Sequence, residues 1–419
     1  MNKSTVSDVN LFAVETQQCP YDAYQVLREE APVYLCPTTG MYVISRFDDV
    51  KQILTDDVNF SNQTKMMGDD QQLSPRQQKV VDLFEAEGWL PAPTLAGRDD
   101  PDHKAIRAVY NEAFRPKRVA ELDDEVRDLA FQLIDDFIES GHCEWVSQFA
   151  VPLPLVIIGR QMGADAGDMW RIKEWTQAFF HRISLMLDEE AELETVRKEI
   201  EAQHYFQPIF EKLRRSPDDS LLSVLVNSVI ANWGRPLNDN ELHAEMMADT
   251  FVGGSETTTN AISAGVKLLI ENKDIWQQLK AYPDRYLNNF IEEVLRLESP
   301  VQGLMRSTKR EVTISGITIP AGSLLNIRYA AANRDTDRFE RAATIDLERK
   351  SAGGHMAFGA GKHHCLGAPL ARRELYWAFR ALLERIDDLW FAPDKNTFSY
   401  HPHYLLRSLQ ELHIEFKPA

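Results

Sequence analysis

The chain has 419 residues, 44% of them hydrophobic, which is enough to bury a large core. Against 64 Asp and Glu stand only 46 Lys and Arg, a formal charge of −18, and that balance argues against nucleic acid as a partner. The four cysteines (Cys19, Cys36, Cys143 and Cys365) contain no CxxC pair, so neither a disulfide framework nor a zinc site is expected, and the chain reads as one from a reducing compartment, cytoplasmic by expectation.

Residues 1–10 are polar and lack the apolar core of a secretory signal. The most apolar run, 151–158, is short and carries Pro152 and Pro154, so no membrane span is expected. Residues 1–19 look irregular. Pro20 opens a helix that stops near Glu30, ahead of Pro32. Segments 33–36 and 41–45 flank Pro37-Thr-Thr-Gly40 and predict a hairpin. A short helix follows over 48–55, with Val50, Ile53 and Leu54 on one side. Periodicity then fails from 56 to 100, where Met66, Met67, Phe84, Trp89 and Leu90 stand among Gly, Pro, Gln and charges.

Pro101 is expected to start a helix behind Asp100 as its cap, with His103 and Arg107 four apart on one face. Apolar spacing predicts helices over 119–140, 155–162, 164–187 and 221–230, and a weaker one over 196–215. A long helix over 241–272 holds Asp249-Thr-Phe-Val252-Gly253-Gly254-Ser-Glu256-Thr257-Thr-Thr-Asn260. Adjacent glycines and three threonines are poor material for a helix interior and are known causes of kinks. A local rule broken in mid-helix points to function, although close helix packing through the glycines explains the residues equally well. Glu293 and Arg296 sit three apart on the next helix, which on its own describes a surface pair. Strands return after Pro300, at 312–314 and 317–319 around Ser315-Gly316, at 324–327, and weakly over 404–416. Many helices followed by a small sheet give a mainly α, α+β architecture, expected as one domain over 1–419.

The densest string is Phe358-Gly359-Ala-Gly361-Lys362-His363-His364-Cys365-Leu-Gly367. Clustered glycines let the backbone take positive φ and approach something flat. From Leu370 the apolar spacing becomes helical, so the thiol stands at a loop-to-helix junction, a position that favours thiolate. A lone cysteine beside a turn is ordinarily just a buried small hydrophobe.

This string resembles the haem-thiolate loop of the cytochrome P450 family, soluble bacterial type, with Phe358, Gly359, Gly361, His363, Cys365 and Gly367 in register. The resemblance implies a helix-rich fold with small sheets, haem b as cofactor, and Cys365 as the axial iron ligand, a thiolate that favours O–O cleavage. It implies Phe358 and Gly359 beside the sulfur, and His363, His103, Arg107, Arg306 and His355 as partners of the haem propionates. Gly-Gly-x-Glu-Thr resembles the family's oxygen-binding kink: Gly253 and Gly254 make room for O2, while Glu256 and Thr257 form an acid–alcohol pair that supplies protons. Glu293-x-x-Arg296 resembles the family's structural pair, which meets the Asn333-Arg334-Asp335 segment and holds the loop under the haem, so Glu293, Arg296 and Arg334 are expected to be structural. Leu304, Met305, Leu405 and Leu406 fall where family members line the substrate pocket, Val252 is expected to face it, and Trp89 and Leu90 lie in the stretch that covers it; Phe180 reads equally as pocket lid or core packing, and Asp249 is a candidate for a polar group of the substrate.

The implied activity is insertion of one oxygen atom from O2 into a C–H bond of a hydrophobic molecule such as a terpenoid, steroid, fatty acid or aromatic. Electrons would come from a ferredoxin or flavodoxin with its reductase, docking on a patch of Arg115, Lys117, Arg118, Lys362, Arg372 and Arg373. A peroxide-driven enzyme and a non-catalytic haem sensor are the alternatives; the intact Glu256-Thr257 pair speaks against both.

Overall fold

Three small sheets and a majority of helices make up the chain in a computed structural model that describes residues 5–64, 73–114 and 116–419. Met66, Met67 and Arg115 lie outside the described residues. The chain folds into two compact units, one of Met1–Phe60, Leu122–Pro154 and Thr257–Ala419, the other of Ser61–Glu121 and Leu155–Glu256.

In the first unit the predicted hairpin forms. Val33–Leu35 runs antiparallel to Tyr42–Ile44, with Val33 opposite Ile44, and Gly40 takes φ +69° in the turn. Tyr42–Ile44 pairs in parallel with Leu324–Ile327, which pairs antiparallel with Leu304–Thr308. The short strand Phe60–Ser61, where the chain leaves this unit, completes the five-stranded sheet at its edge. Helix Phe47–Thr55 buries Phe47, Val50, Ile53 and Leu54 in one cluster with Leu325, Ile327 and Phe339. This is the 3.6-residue spacing seen in the sequence, now closed against a sheet face.

The helical half of the unit packs Asp123–Asp135, Thr257–Glu271, Pro283–Glu298 and Ala368–Arg385 together. Gly265 permits the close approach of two of these helices, since a Cβ there would lie 2.3 Å from the Phe379 ring. A three-stranded sheet places His413–Pro418 between His142–Glu144 and Ile386–Phe391. The tight hairpin Val312–Ile314 with Ile317–Ile319 turns at Ser315 and Gly316 as expected.

The second unit is helical. Glu189–Arg215 packs on Met169–Arg182 and on Pro75–Glu87, and Met169–Arg182 packs on Glu245–Glu256. Glu245–Glu256 is wound as π-helix between α-helical Asp239–Ala244 and Thr257–Glu271. The predicted irregularity of the Gly-Gly-Thr stretch is therefore a change of winding, a form that concentrates at functional sites.

The structure departs from the sequence expectations in five places. Val14–Gln18 is a short helix inside the stretch expected to be irregular. Pro75–Glu87 is a helix within 56–100; Ser74 caps it by accepting from Gln77 N–H, and Gln77 returns the bond. That Ser-Pro-x-Gln start is a readable capping box, outweighed by the weak apolar periodicity behind it. The next helix begins at Asp102 with Pro101 in the cap position, one residue later than expected. Arg306 lies within strand Leu304–Thr308 rather than ahead of the first late strand. Ile386–Phe391 is a strand that periodicity alone did not separate from the preceding helix, and it pairs with His413–Pro418, the only strand in the expected 404–416 region.

Candidate active site

The loop from His355 to Gly367 carries the cysteine. The Cys365 N–H donates to the Phe358 carbonyl at 2.9 Å, and Gly359 and Gly361 take φ of +66° and +70°. A Cβ on Gly361 would lie 2.4 Å from the Leu54 carbonyl oxygen, so only glycine lets the loop press on the end of helix Phe47–Thr55. Cys365 is exposed, and helix Ala368–Arg385 starts just beyond it with Gly367 at its cap. His363 closes the short 3-10 turn Gly361–His363 and is partly exposed.

Behind the loop stands Glu292. It accepts from Arg372 Nε at 2.6 Å, from Arg372 Nη2 at 2.9 Å and from His355 Nε2 at 3.1 Å. Burial pushes this carboxyl up, but the bonds and charges of Arg372 and His355 outweigh it and hold the pKa down, to about 2. The Arg372 guanidinium also lies 4.5 Å from the Phe358 ring centroid. His355 Nδ1 accepts from the Ala357 N–H at 3.1 Å. His355 therefore joins the loop, through Nδ1, to Glu292 on helix Pro283–Glu298, through Nε2.

Glu293 and Arg296 are fully buried and joined by two bonds, 2.7 and 2.9 Å. Arg296 donates onward to the carbonyls of Asn333, Ala342 and Thr344. The third member is Arg349, whose Nε donates to Glu293 at 2.9 Å. Arg334 stands elsewhere: its Nε donates to the Leu297 carbonyl, and its guanidinium pairs with Glu298 at 3.5 Å and stacks on Tyr21. The pair thus meets the 333–335 segment through the Asn333 carbonyl, while the Arg334 side chain is bound to Leu297 and Glu298. Arg349 escaped sequence reading because nothing in Asp346-Leu-Glu-Arg349 distinguishes it from a surface arginine. Asn333 ties the cluster to the loop, donating to Ser299 Oγ and accepting the Met356 N–H at 2.6 Å.

Arg306 is buried, its Nη1 donating to the Met305 carbonyl at 2.7 Å. Strand alternation splits its neighbours. Leu304 is exposed, whereas Met305 packs in a core with Leu27, Met41 and Tyr404 rather than lining an open face. Leu405 is half-buried and Leu406 buried, held by His403, whose Nδ1 accepts both their N–H groups at 3.0 and 3.1 Å. Thr257 is the half-buried first residue of Thr257–Glu271.

In the second unit His103 is buried and Arg107 half-buried on helix Asp102–Ala113, with His103 Nδ1 3.5 Å from Asp100. A Cβ at Gly253 would meet only the Ala248 carbonyl, at 3.6 Å, while one at Gly254 would touch Ile158 at 3.4 Å. Gly253 is thus the open member of the pair and Gly254 the packed one. Val252 and Phe180 are buried. Glu256, also buried, accepts from Lys173 Nζ at 2.6 Å and from the Thr176 hydroxyl at 3.0 Å. Trp89 lies against the rings of His243 and His204, and Leu90 against the cluster of Val80, Phe84, Val196 and Ile200.

Asp249, expected in the substrate pocket, spends its carboxylate inside the unit. It accepts from Thr94 Oγ1 at 3.1 Å and Ala96 N–H at 2.9 Å, while Glu245, one turn earlier, accepts from Leu95 N–H and Tyr110 Oη. Burial pushes both carboxyls up. The basic residues expected as a docking patch are largely answered by acids: Lys362 pairs with Asp57, Arg373 with Asp123, and Arg372 with Glu292.

A family model for cytochrome P450 matches residues 162–387. Cytochrome P450 107B1 of Saccharopolyspora erythraea is 31% identical, over 99% of both chains. The chain belongs to the cytochrome P450 family. Vitamin D(3) 25-hydroxylase of Pseudonocardia autotrophica is 30% identical over 98% of this chain and 96% of its own. The crystal structure of CYP109E1 from Bacillus megaterium, in complex with testosterone, superposes with a TM-score of 0.79 at 29% identity, covering 94% of this chain and 99% of that one. As a cytochrome P450 the protein binds haem b and is a monooxygenase that uses O2, a hydrophobic substrate and an electron-donating partner. Among the described residues no helix is long and apolar enough to cross a membrane.

Proposed function

We propose that Cys365 is the axial thiolate of the haem and that the reaction is hydroxylation of an unactivated C–H bond. The observation that carries this reading is the exposed Cys365 on a loop fixed by its own N–H bond to Phe358 and by two left-handed glycines. Such a loop presents a sulfur ligand while excluding a β-carbon from the surface beside it. The donor set fits haem b: one sulfur for the iron, and Arg306, His103, Arg107 and His363 as cations and donors for the propionates. Bound haem supplies the oxygen activation.

This chain's residues do the rest. Gly253 leaves space beside the π-wound segment, and Glu256 and Thr257 hold and move the protons that oxygen reduction consumes. His355, Glu292 and Arg372 brace the cysteine loop, and Glu293, Arg296 and Arg349 fix the chain behind it. Val252, Phe180, Leu304, Leu405 and Leu406 are proposed to meet substrate. A relative named vitamin D(3) 25-hydroxylase and a solved relative holding testosterone support a steroid-type molecule, and a solved relative holding a hexadecenoic acid-ligated acyl carrier protein supports a fatty acid. A ferredoxin or flavodoxin is the proposed electron donor and the cytoplasm the proposed location, with 1–419 acting as one domain. Lys362 and Arg373, three and eight residues from Cys365 in sequence, keep about half and about a third of their side-chain exposure, which supports a docking role.

The test is the spectrum of the reduced, carbon-monoxide-bound protein. The expected result is a thiolate-type band that Cys365→Ala abolishes. A band of the histidine-ligated type, unchanged in Cys365→Ala, overturns the assignment.

A further inference from the structure

Arg328 is a buried cation that no carboxylate answers. It follows strand Leu324–Ile327 and is 1% exposed. Nη1 donates to the Tyr404 carbonyl at 2.7 Å, and the guanidinium lies 4.0 Å from the Tyr404 ring centroid. Among the described residues it forms no ion pair, and its Nε is buried without a hydrogen-bond partner. Tyr404 Oη is likewise buried and unpartnered. A guanidinium does not escape by losing its proton, so an unanswered one in the interior carries a heavy desolvation penalty.

The surroundings deepen the imbalance. Arg407 and Arg334 share a single acid, Glu298, at 3.1 and 3.5 Å. Among the described residues Glu298, shared by two arginines, is the carboxylate that Arg407 meets, and none meets Arg328. Arg328, Arg407, Tyr24, His403 and Tyr404 line one cavity of about 20 Å³, room for a single water-sized occupant. His403 Nδ1 accepts two backbone N–H groups, which fixes the ring at the cavity wall. Tyr24 Oη already donates to Gln302 Oε1 at 3.0 Å. The walls thus carry two guanidinium groups, with the buried Arg328 Nε and Tyr404 Oη beside one buried amide acceptor, Gln17 Oε1, so the best-matched occupant carries negative charge.

We propose that this cavity binds one small monovalent anion of the chloride type, with Arg328 as its principal ligand. A carboxylate, phosphate or sulfate is too large for the volume. The ion supplies the missing counter-charge and ties the end of the sheet strand to the 403–406 turn. The site is independent of haem ligation.

The test uses the purified holoenzyme. Its melting temperature is measured in sodium chloride and in sodium gluconate at equal ionic strength, gluconate being too large to enter. Chloride is expected to raise it by several degrees in a saturable manner, and Arg328→Met is expected to lose that response. Equal melting in the two salts, or an undiminished chloride response in Arg328→Met, overturns the proposal. If Arg328→Met does not fold, wild-type crystals soaked in bromide decide. An anomalous peak against the Arg328 guanidinium supports the site, and a water without anomalous signal there overturns it.

Discussion

Lys173 Nζ lies 2.6 Å from Oε1 of Glu256, the residue immediately before Thr257. Lys173 and Thr176 are three apart on helix Met169–Arg182 and so reach the same carboxylate oxygen from one face. The pair is nearly buried, with 16% and 4% of the side chains exposed, so the ammonium is what keeps a charge tolerable there. Glu256→Gln removes the proton carrier and is expected to cut product formation by about 10²-fold or more. Lys173→Gln keeps the carboxyl but removes its ion-pair partner, and it is expected to lower product formation by less than Glu256→Gln does. Product formation per haem in the two variants ranks them, and wild-type turnover in Lys173→Gln removes the lysine from any part in the reaction.

Glu293 is the shared acceptor of two arginines in a fully buried site, so it tolerates no neutral replacement. Glu293→Gln leaves Arg296 and Arg349 buried without a counter-charge, at a cost of about 3–5 kcal/mol. Arg334→Met gives up a 3.5 Å pair with Glu298, a bond to the Leu297 carbonyl and the stacking on Tyr21, but Glu298 keeps Arg407, so it is expected to cost clearly less. Thermal unfolding followed by circular dichroism ranks them. A reversed order would show that Glu293 does not carry the buried charge balance.

Two left-handed glycines separate a strained turn from an essential approach. Gly316 takes φ +79° with nothing within 4 Å of an added Cβ, so Gly316→Ala carries only the left-handed strain, about 1–2 kcal/mol. Gly361→Ala adds a 2.4 Å clash with a backbone carbonyl that cannot rotate away. Haem content, read as the ratio of Soret to protein absorbance, is expected to stay near wild type in the first and to collapse in the second.

Glu374 on helix Ala368–Arg385 is 2% exposed, and burial drives its pKa up to about 8, only partly offset by the Thr258 hydroxyl. Below the unfolded value of about 4.5 both states carry the proton. Between there and about 8 only the folded state keeps it, so this residue's contribution to stability is lost progressively as pH rises, and the loss is complete above about 8. Glu374→Gln cannot ionise. Its melting temperature is expected to fall less than that of wild type on going from mildly acidic to mildly alkaline buffer. Parallel curves would show that the carboxyl is ionised in the folded protein at neutral pH.

What the sequence by itself determined is what short-range chemistry fixes. The glycine–cysteine loop, the Gly-Gly-x-Glu-Thr stretch, the amphipathic helices and the hairpins at Gly40 and Gly316 are each written in contiguous residues, because turn geometry and helix periodicity need no distant partner. The tertiary structure alone decided which charges meet. Arg349 completes the Glu293 cluster while Arg334 turns to Glu298, Asp249 turns to Thr94 and Ala96, Glu292 claims both His355 and Arg372, and Met305 enters the core while Leu304 stays out. The reason is physical. A buried charge takes whichever opposite charge or donor the fold brings within about 3 Å, and that neighbour lies tens or hundreds of residues away, where no local pattern records it.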